Sequence, residues 1–286
     1  VETRLARRYR LQKNEAGETI NPIVFYIDSG APEPIRSALV DGANWWKGAF
    51  DAAGYPDGYR VEILPEGAHP LDVRYNVVQW VHRQTRGWSY GGGVSDPRTG
   101  EMLQGHVNLG SLRVRQDRMI FEGLAGTGKT NSGAPDDPVE LALDRIRQLS
   151  AHEIGHALGF AHNFAASTYG KGSVMDYPAP DVRVTNGALD FSQTYGVGIG
   201  EWDAFTATWL YGDLSESARA NLVSDMLARE LIYVADPDAR SISTLHPLVN
   251  ISDNGADPAV DAVLLNFFPD NQTNLHSTTY RRSPPT

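Results

Sequence analysis

The first third of the chain contains three stretches whose apolar residues are spaced as in β-strands. Residues 21–28 are rich in β-branched and aromatic side chains and end at the turn residues Ser29 and Gly30, which is typical of a strand. Residues 59–63 alternate apolar and charged side chains, and residues 73–81 place apolar side chains on one face. The alternation predicts strands with a buried face in this part of the chain.

Between the first two predicted strands, the apolar positions change to a spacing of three and four residues. This stripe predicts a helix over residues 35–50, with Gly54 as its C-terminal cap. Its members are Ile35, Leu39, Ala43, Trp46 and Phe50. Farther along, residues 88–94 and 101–109 flank a segment of turn-forming residues, which predicts a β-hairpin or a longer β-connection.

Three consecutive glycines, Gly91, Gly92 and Gly93, lie in the first arm of this predicted hairpin. Because they have no side chains, they leave a bare backbone edge with which an extended peptide substrate could form strand-like hydrogen bonds. A simple glycine-rich loop explains the same residues equally well. The sequence leaves both interpretations open.

A longer helix is predicted to begin after Asp137, whose side chain suits the N-cap position. Pro138 fits the first helical position, and Glu140 completes a capping-box pattern. The apolar stripe of this helix runs on into His152 and His156. We therefore expect both histidines to emerge at the edge of the core.

His152 and His156 lie four residues apart, so a helix places both on one face with their imidazoles directed at a common point. This pair, with Glu153 beside it, is typical of zinc sites, and a catalytic zinc needs a third protein ligand. His162 would lie out of reach if the helix continued. Gly159 removes this obstacle, because a glycine with positive φ can end the helix and turn the chain back toward the metal.

Residues 163–200 are irregular and rich in glycine, serine and proline. Met175 is expected to form an apolar floor under the histidines, because zinc would already have three imidazole ligands. The phenol of Tyr177 is a candidate hydrogen-bond donor to an oxyanion, with simple packing as the alternative. The residues expected to form a stiff wall beside it, on the substrate side, are Pro178, Ala179 and Pro180.

Three further stretches, at residues 202–209, 222–231 and 257–267, have apolar side chains at helical spacing. We expect all three helices to face the core. The acidic segment 253–257 lacks the ligand spacing of a calcium loop, so it is interpreted as a turn.

Composition narrows the functional class. The 286 residues suffice for one large domain or two smaller ones, and the net charge of −10 opposes binding to nucleic acid or to anionic membranes. The absence of cysteine excludes disulfides, thiolate metal ligands and a cysteine nucleophile. No apolar run reaches the length of about 18 residues that a transmembrane helix requires, so none is expected in this chain.

A second motif points to a different chemistry. Residues 123–130 match GxxxxGK[ST], the phosphate-binding P-loop pattern, with Lys129 as its cation. A working P-loop runs directly into a helix, but here Thr130 is followed by a segment rich in glycine, proline and aspartate. We therefore expect a flexible surface loop at this position.

The pattern HExxHxxGxxH at residues 152–162, followed by the methionine segment 173–177, resembles the signature of the metzincin clan of zinc endopeptidases. Residues 21–56 and 90–110 are also similar to a bacterial group of secreted peptidases, the Met-zincin family. The resemblance implies an α/β (α+β) fold of the metzincin type, in which a twisted mixed sheet and an active-site helix lie above an irregular, helix-containing C-terminal subdomain. It also implies that residues 90–110 supply the edge strand above a cleft with zinc at its base.

The same resemblance implies one catalytic domain over residues 1–286, with an upper subdomain at 1–160 and a lower one at 161–286. It implies Zn²⁺ as the cofactor, a peptide or protein as the substrate, an extracytoplasmic location and further modules in a longer chain. As in astacins and serralysins, Tyr177 would be a switchable zinc ligand or an oxyanion donor. Asn163, directly after the third histidine, fits the bacterial group and not the well-studied branches, so their substrate preferences do not transfer.

Together these features predict a hydrolase, a zinc-dependent endopeptidase. Zinc held by His152, His156 and His162 would lower the pKa of its bound water toward 7, and Glu153 would take the proton and deliver it to the leaving amine. The alternative is a catalytically inactive module that keeps the zinc and binds peptides or proteins. The presence of Glu153 argues against that alternative, because a structural three-histidine site does not need it.

Overall fold

The computed structural model describes residues 5–83, 89–177 and 180–236. Within these ranges the long strands are β1 (Ile23–Ile27), β2 (Tyr59–Ile63), β3 (Asn76–Val81), β4 (Tyr90–Ser95) and β5 (Met102–Gly110). They form one sheet in the order β2-β1-β3-β5-β4. The first four strands in this order run parallel, while β4 pairs antiparallel with β5 at the edge. The mixed sheet and the hairpin predicted from the sequence are therefore confirmed.

Helices cover the sheet and complete the core. They are α1 (Ile35–Asn44), α2 (Lys47–Ala52), α3 (Leu112–Ala125), α4 (Pro138–Ala157), α5 (Glu201–Tyr211) and α6 (Glu216–Ala228). The main core lies between the sheet and helices α1 and α4, and its fully buried side chains include Phe25, Leu39, Ile146 and Ile154. The α/β fold class predicted from the sequence is confirmed, and α4 lies at its centre with contacts to α1, α3, β4 and β5.

The single helix predicted over residues 35–50 is in fact two helices. At the end of α1 the Trp45 amide donates to the carbonyl of Gly42, three residues back, at 3.2 Å, which is the tightening found at helix ends. Trp46 then buries its indole and donates from Nε1 to the Ala151 carbonyl on α4 at 2.8 Å. This contact with a distant helix sets the break, so the local spacing of apolar residues does not reveal it.

Helix α3 is not predicted by the apolar pattern. Its buried apolar side chains are Ile120 and Phe121, and its other apolar side chains are half-buried or exposed. Asp117 is also buried, where it forms an ion pair with Arg113 at 2.7 Å. Helix α3 packs against α4, and a short helix takes most of its stability from such tertiary packing.

The C-terminal part of the described chain supports the end of α4. Helix α5 packs against α2, and its Tyr211 donates from the phenol to the Leu158 carbonyl at 2.6 Å. Helix α6 has no buried residue, so the expectation that this helix faces the core is wrong. A short hairpin of β6 (Arg183–Thr185) and β7 (Ala188–Asp190) lies in the region expected to be irregular.

Two of the predicted C-terminal features, the helix at 257–267 and the turn at 253–257, lie outside the described residues. In the described ranges no helix combines the length and the apolar character needed to cross a membrane. The division into subdomains at residue 160 remains a prediction.

Candidate metal centre

Helix α4 carries the first two histidines and has defined ends. At its start the Asp137 carboxylate accepts a hydrogen bond from the Val139 amide at 2.9 Å, as an N-cap does. At its other end Gly159 has φ of +101°, which glycine adopts without steric cost. A Cβ atom there would also lie 2.1 Å from the Arg7 carbonyl oxygen. The predicted glycine turn is confirmed, and it returns His162 to the face of α4 that carries His152 and His156.

The three histidines converge through the same ring nitrogen. The Nε2 atom of His156 lies 3.2 Å from Nε2 of His152 and 3.1 Å from Nε2 of His162. All three candidate ligand atoms lie within 4.8 Å of one another. Zinc–nitrogen bonds of about 2.05 Å in a tetrahedral site separate the ligand nitrogens by about 3.4 Å. The described residues therefore fit a zinc ion with little movement of the rings.

The opposite ring nitrogen of each histidine faces an oxygen acceptor. Nδ1 of His152 donates to the Val174 carbonyl at 2.6 Å, and Nδ1 of His156 donates to the Phe160 carbonyl at 3.0 Å. Nδ1 of His162 faces the Asp236 carboxylate at 2.8 Å. A proton on each Nδ1 leaves the lone pair of each Nε2 free for a metal, which is the arrangement that outer ligands impose in zinc sites.

Electrostatics keep the buried imidazoles neutral. Burial, followed by the nearby charges of His156 and His162, lowers the pKa of His152 well below its ordinary value. Burial and the charge of His162 lower the pKa of His156 to about 4. Since metals bind the neutral imidazole, these two side chains are ready to act as ligands at neutral pH.

Glu153 lies beside the three histidines and is 4% exposed. Burial raises the pKa of its carboxyl to about 8, against the charge of Arg145 and a hydrogen bond from the Gly91 backbone, which both lower it. A raised carboxyl pKa of this kind is typical of a group that exchanges protons in a reaction. Arg145, one of the residues that the sequence motifs do not single out, is half-buried on α4 and bonds to Gln148 at 3.0 Å.

Strand β4 is pressed against α4 at this point. A Cβ atom on Gly91 would lie 1.8 Å from the Glu153 carbonyl oxygen, so only glycine allows this approach. A Cβ atom on Gly92, by contrast, would meet nothing within 4 Å, and Gly93 is exposed. The three glycines therefore lie on an edge strand and do not form a simple loop, although only Gly91 reaches the site.

The methionine segment lies directly under α4. Met175 is 1% exposed, and a Cβ atom on Gly155 would lie 2.2 Å from its sulfur, which explains the glycine in the last turn of α4. The segment is held by Asp203 at the start of α5, whose carboxylate accepts from Ser173 Oγ at 2.5 Å and from the Val174 amide at 2.8 Å. The expected apolar floor is therefore present, and its polar support comes from a residue that the motif does not include.

Tyr177 reaches the same point as the histidines. Its hydroxyl lies 3.0 Å from Nε2 of His162, and its ring centroid lies 4.8 Å from that of His152. Burial, with the charge of Glu153, raises its pKa above the ordinary value, so the phenol is protonated at neutral pH. A protonated hydroxyl beside the metal position can donate a hydrogen bond to an oxygen that gains charge there.

The segment expected to form a wall beside Tyr177 is only partly described. Pro178 and Ala179 lie outside the described residues, and Pro180 is buried. Val182, which follows them, is fully buried in a cluster with Ile120, Phe121, Leu141 and Phe191. Val182 therefore packs into the protein interior, and its side chain is not available to a substrate.

The P-loop match does not form a phosphate site. Lys129 forms an ion pair with Asp136, and the Thr130 hydroxyl donates to Glu122 at 3.1 Å. The matched segment begins within the last turn of α3 and does not follow a strand, and α4 begins only at Pro138. The strand-to-helix junction that a P-loop requires is missing, as expected from the sequence.

The comparisons with known proteins agree with this geometry. A family model described as Met-zincin matches residues 134–265, a range that holds α4, all three histidines and the methionine segment. A search of curated proteins finds no match. The mixed five-stranded sheet is consistent with a metzincin-type fold. The three histidines fit the zinc-binding pattern HExxHxxGxxH of that clan. Over residues 134–265, a little under half of its length, the chain is similar to the Met-zincin family.

Proposed function

We propose that the protein is a zinc-dependent endopeptidase. The observation that carries this proposal is the convergence of the three Nε2 atoms beside the buried carboxyl of Glu153. A three-histidine set leaves one tetrahedral position open, whereas a purely structural zinc site is closed by a fourth protein ligand. When bound, zinc would lower the pKa of a water molecule and polarise the carbonyl of the substrate.

Glu153 is the proton carrier in this proposal. Its carboxylate takes a proton from the attacking water and later gives it to the amine that leaves. A cation held by the histidines favours the ionised carboxylate, which brings its pKa down from the value of about 8 that burial imposes. Glu153 then exchanges its proton near neutral pH, where this role is most efficient.

Tyr177 and strand β4 complete the site. The Tyr177 hydroxyl, placed beside His162, would donate a hydrogen bond to the oxygen of the substrate carbonyl as that oxygen becomes negative. The backbone of β4 at the sheet edge would pair with an extended peptide, and that peptide would then lie next to Glu153, because Gly91 is in close contact with α4. Pro180 is buried, so the wall proposed at Pro178, Ala179 and Pro180 would act through its backbone at that residue.

The wider setting follows the family resemblance and belongs to the same proposal. We place the activity outside the cytoplasm, on a peptide or protein substrate, in a chain that includes further modules. The net charge of −10 supports a partner other than nucleic acid.

A metal-removal experiment tests the proposal. Cleavage of a denatured protein is measured before zinc is removed with a chelator, after its removal, and after one equivalent of zinc is restored. We expect cleavage to stop and then return. A chain that takes up zinc and binds the denatured protein but never cuts it would be the inactive binding module instead.

A further inference from the structure

His162 is held differently from the other two histidines. The Nδ1 atoms of His152 and His156 bond to backbone carbonyls close to α4. Nδ1 of His162 bonds at 2.8 Å to the carboxylate of Asp236, a residue 74 positions downstream, beyond α6. A charged acceptor polarises an imidazole more strongly than a neutral carbonyl does. The third ligand therefore depends on a segment of the chain that is remote in sequence.

That segment, Leu231–Asp236, is fixed to the chain directly after His162. The side chain of Asn163 accepts from the Val234 amide at 3.0 Å and donates to the Ile232 carbonyl at 2.9 Å. The Phe164 amide adds a bond to the Val234 carbonyl at 3.0 Å. Asn163 is fully buried and Val234 nearly so. These bonds hold the two segments in one register, with Asp236 opposite the ring of His162.

The stability gained from an exposed ion pair between Asp236 and His162 would not explain why buried hydrogen bonds hold Asp236 in place. The Asp236 side chain is 53% exposed, and an exposed charge pair contributes little to the stability of a fold. The buried amide of Asn163, in contrast, forms two of its hydrogen bonds with the Leu231–Asp236 segment. Its other two bonds go to the Ala165 amide and to the Tyr169 hydroxyl. The arrangement is explained if the Asp236 carboxylate has to lie at a fixed position beside the His162 imidazole.

We propose that Asp236 is a positioning residue for the third metal ligand, and that Asn163 sets its place. The carboxylate keeps the proton of His162 on Nδ1 and fixes the ring so that Nε2 faces the other two ligands. The inference rests on the proposed zinc site, because it assigns the carboxylate a role toward that metal. It also gives a function to the residue that follows the third histidine.

Zinc affinity is the main test, since it does not depend on catalysis. Zinc dissociation constants of the full chain are measured by competition with a chromogenic chelator for the parent, Asp236→Ala and Asp236→Asn. Outer carboxylates typically contribute about 10- to 100-fold to metal affinity, so we expect a loss of that size for Asp236→Ala. The Asp236→Asn variant keeps an oxygen acceptor and should recover part of the loss. Asp225→Ala, which removes an exposed carboxylate on α6, should bind zinc like the parent.

The ring nitrogens provide a second readout in the zinc-free chain. Nitrogen chemical shifts should show that the neutral His162 ring carries its proton on Nδ1 in the parent. In Asp236→Ala they should show a mixture of the two neutral tautomers, with the proton on Nδ1 or on Nε2. Unchanged zinc affinity together with an unchanged tautomer in Asp236→Ala would overturn the inference. A parent that takes up no zinc would contradict the proposed function instead, and the nitrogen shifts would still decide the role of Asp236.

Discussion

The sulfur of Met175 lies so close to Gly155 that a Cβ atom at position 155 would be 2.2 Å from it. The ring of Trp46 approaches the same position to 2.9 Å. Gly155 lies between His152 and His156 on α4, so the contact fixes the methionine segment directly behind the two ligands. Glycine in a helix interior costs about 1 kcal/mol relative to alanine. The close packing of Met175 is the reason that α4 accepts this cost.

Replacing Gly155 with alanine should therefore destabilise the protein, although alanine favours the helix. Overpacking of a core typically costs about 1–3 kcal/mol, and urea unfolding of the zinc-free chain measures the loss. The control is Gly48→Ala in α2, where a Cβ atom meets nothing within 4 Å. That variant should be as stable as the parent or more stable. Equal stability of both variants would show that Met175 does not restrict position 155.

Adjacent glycines on β4 should respond in opposite ways to the same change. Gly91→Ala forces a Cβ atom against the Glu153 carbonyl oxygen, while Gly92→Ala meets no atom within 4 Å. We expect the first variant to lose roughly 2 kcal/mol or more of unfolding free energy and the second to change by less than about 0.5 kcal/mol. Thermal unfolding of the pair provides the comparison. A stable Gly91→Ala chain would mean that β4 does not press on α4.

The stability that Asp203 contributes by holding the methionine segment should depend on pH. Burial raises the pKa of Asp203 to about 6, above the value of about 3.9 in an unfolded chain. The folded protein thus holds this proton more tightly, so the associated stability is complete below pH about 4 and is lost as the pH rises through 6. Relative to Asp203→Asn, the parent should lose about 2 kcal/mol of unfolding free energy between pH 4 and pH 7. A stability difference that stays constant over this range in urea unfolding would contradict the assignment.

Tyr177 should act on turnover and not on metal binding. Tyr177→Phe removes the hydroxyl beside His162 and leaves the ring packed. Loss of one hydrogen bond to a developing oxyanion lowers kcat by about 10²-fold or more. Steady-state cleavage of a peptide should show this fall in kcat with little change in KM, and zinc content should equal that of the parent. A variant with parental kcat would reduce Tyr177 to a packing role.

The parts of the site that could be predicted from the sequence are those whose residues lie close together along the chain. His152, Glu153, His156 and Gly159 lie within three turns of chain, so helix geometry alone places them, and the glycine turn accounts for His162. The strands followed from runs of β-branched, aromatic or alternating apolar residues, and the hairpin followed from the turn-forming residues between its arms.

The remaining parts depend on contacts between segments that are distant in sequence. Asp236 and Asp203 lie in stretches with no motif, and only the folded chain brings them to His162 and to the methionine segment. The break at Trp46 follows from its bond to α4. The apolar residues of α6 have helical spacing, yet none of them is buried. Periodicity predicts an apolar face on a helix but does not identify the element that would cover it.

The most direct measurement is cleavage of an unbiased peptide mixture, read by mass spectrometry, by the zinc-loaded parent and the zinc-loaded Glu153→Gln variant. The variant keeps the size of the side chain and all three histidines, so both chains should hold one zinc. We expect the parent to cut internal peptide bonds and the variant to be slower by about 10²- to 10⁴-fold, the contribution of a general base. Equal cleavage by the two chains, or no cleavage by a parent that holds zinc, would contradict the account.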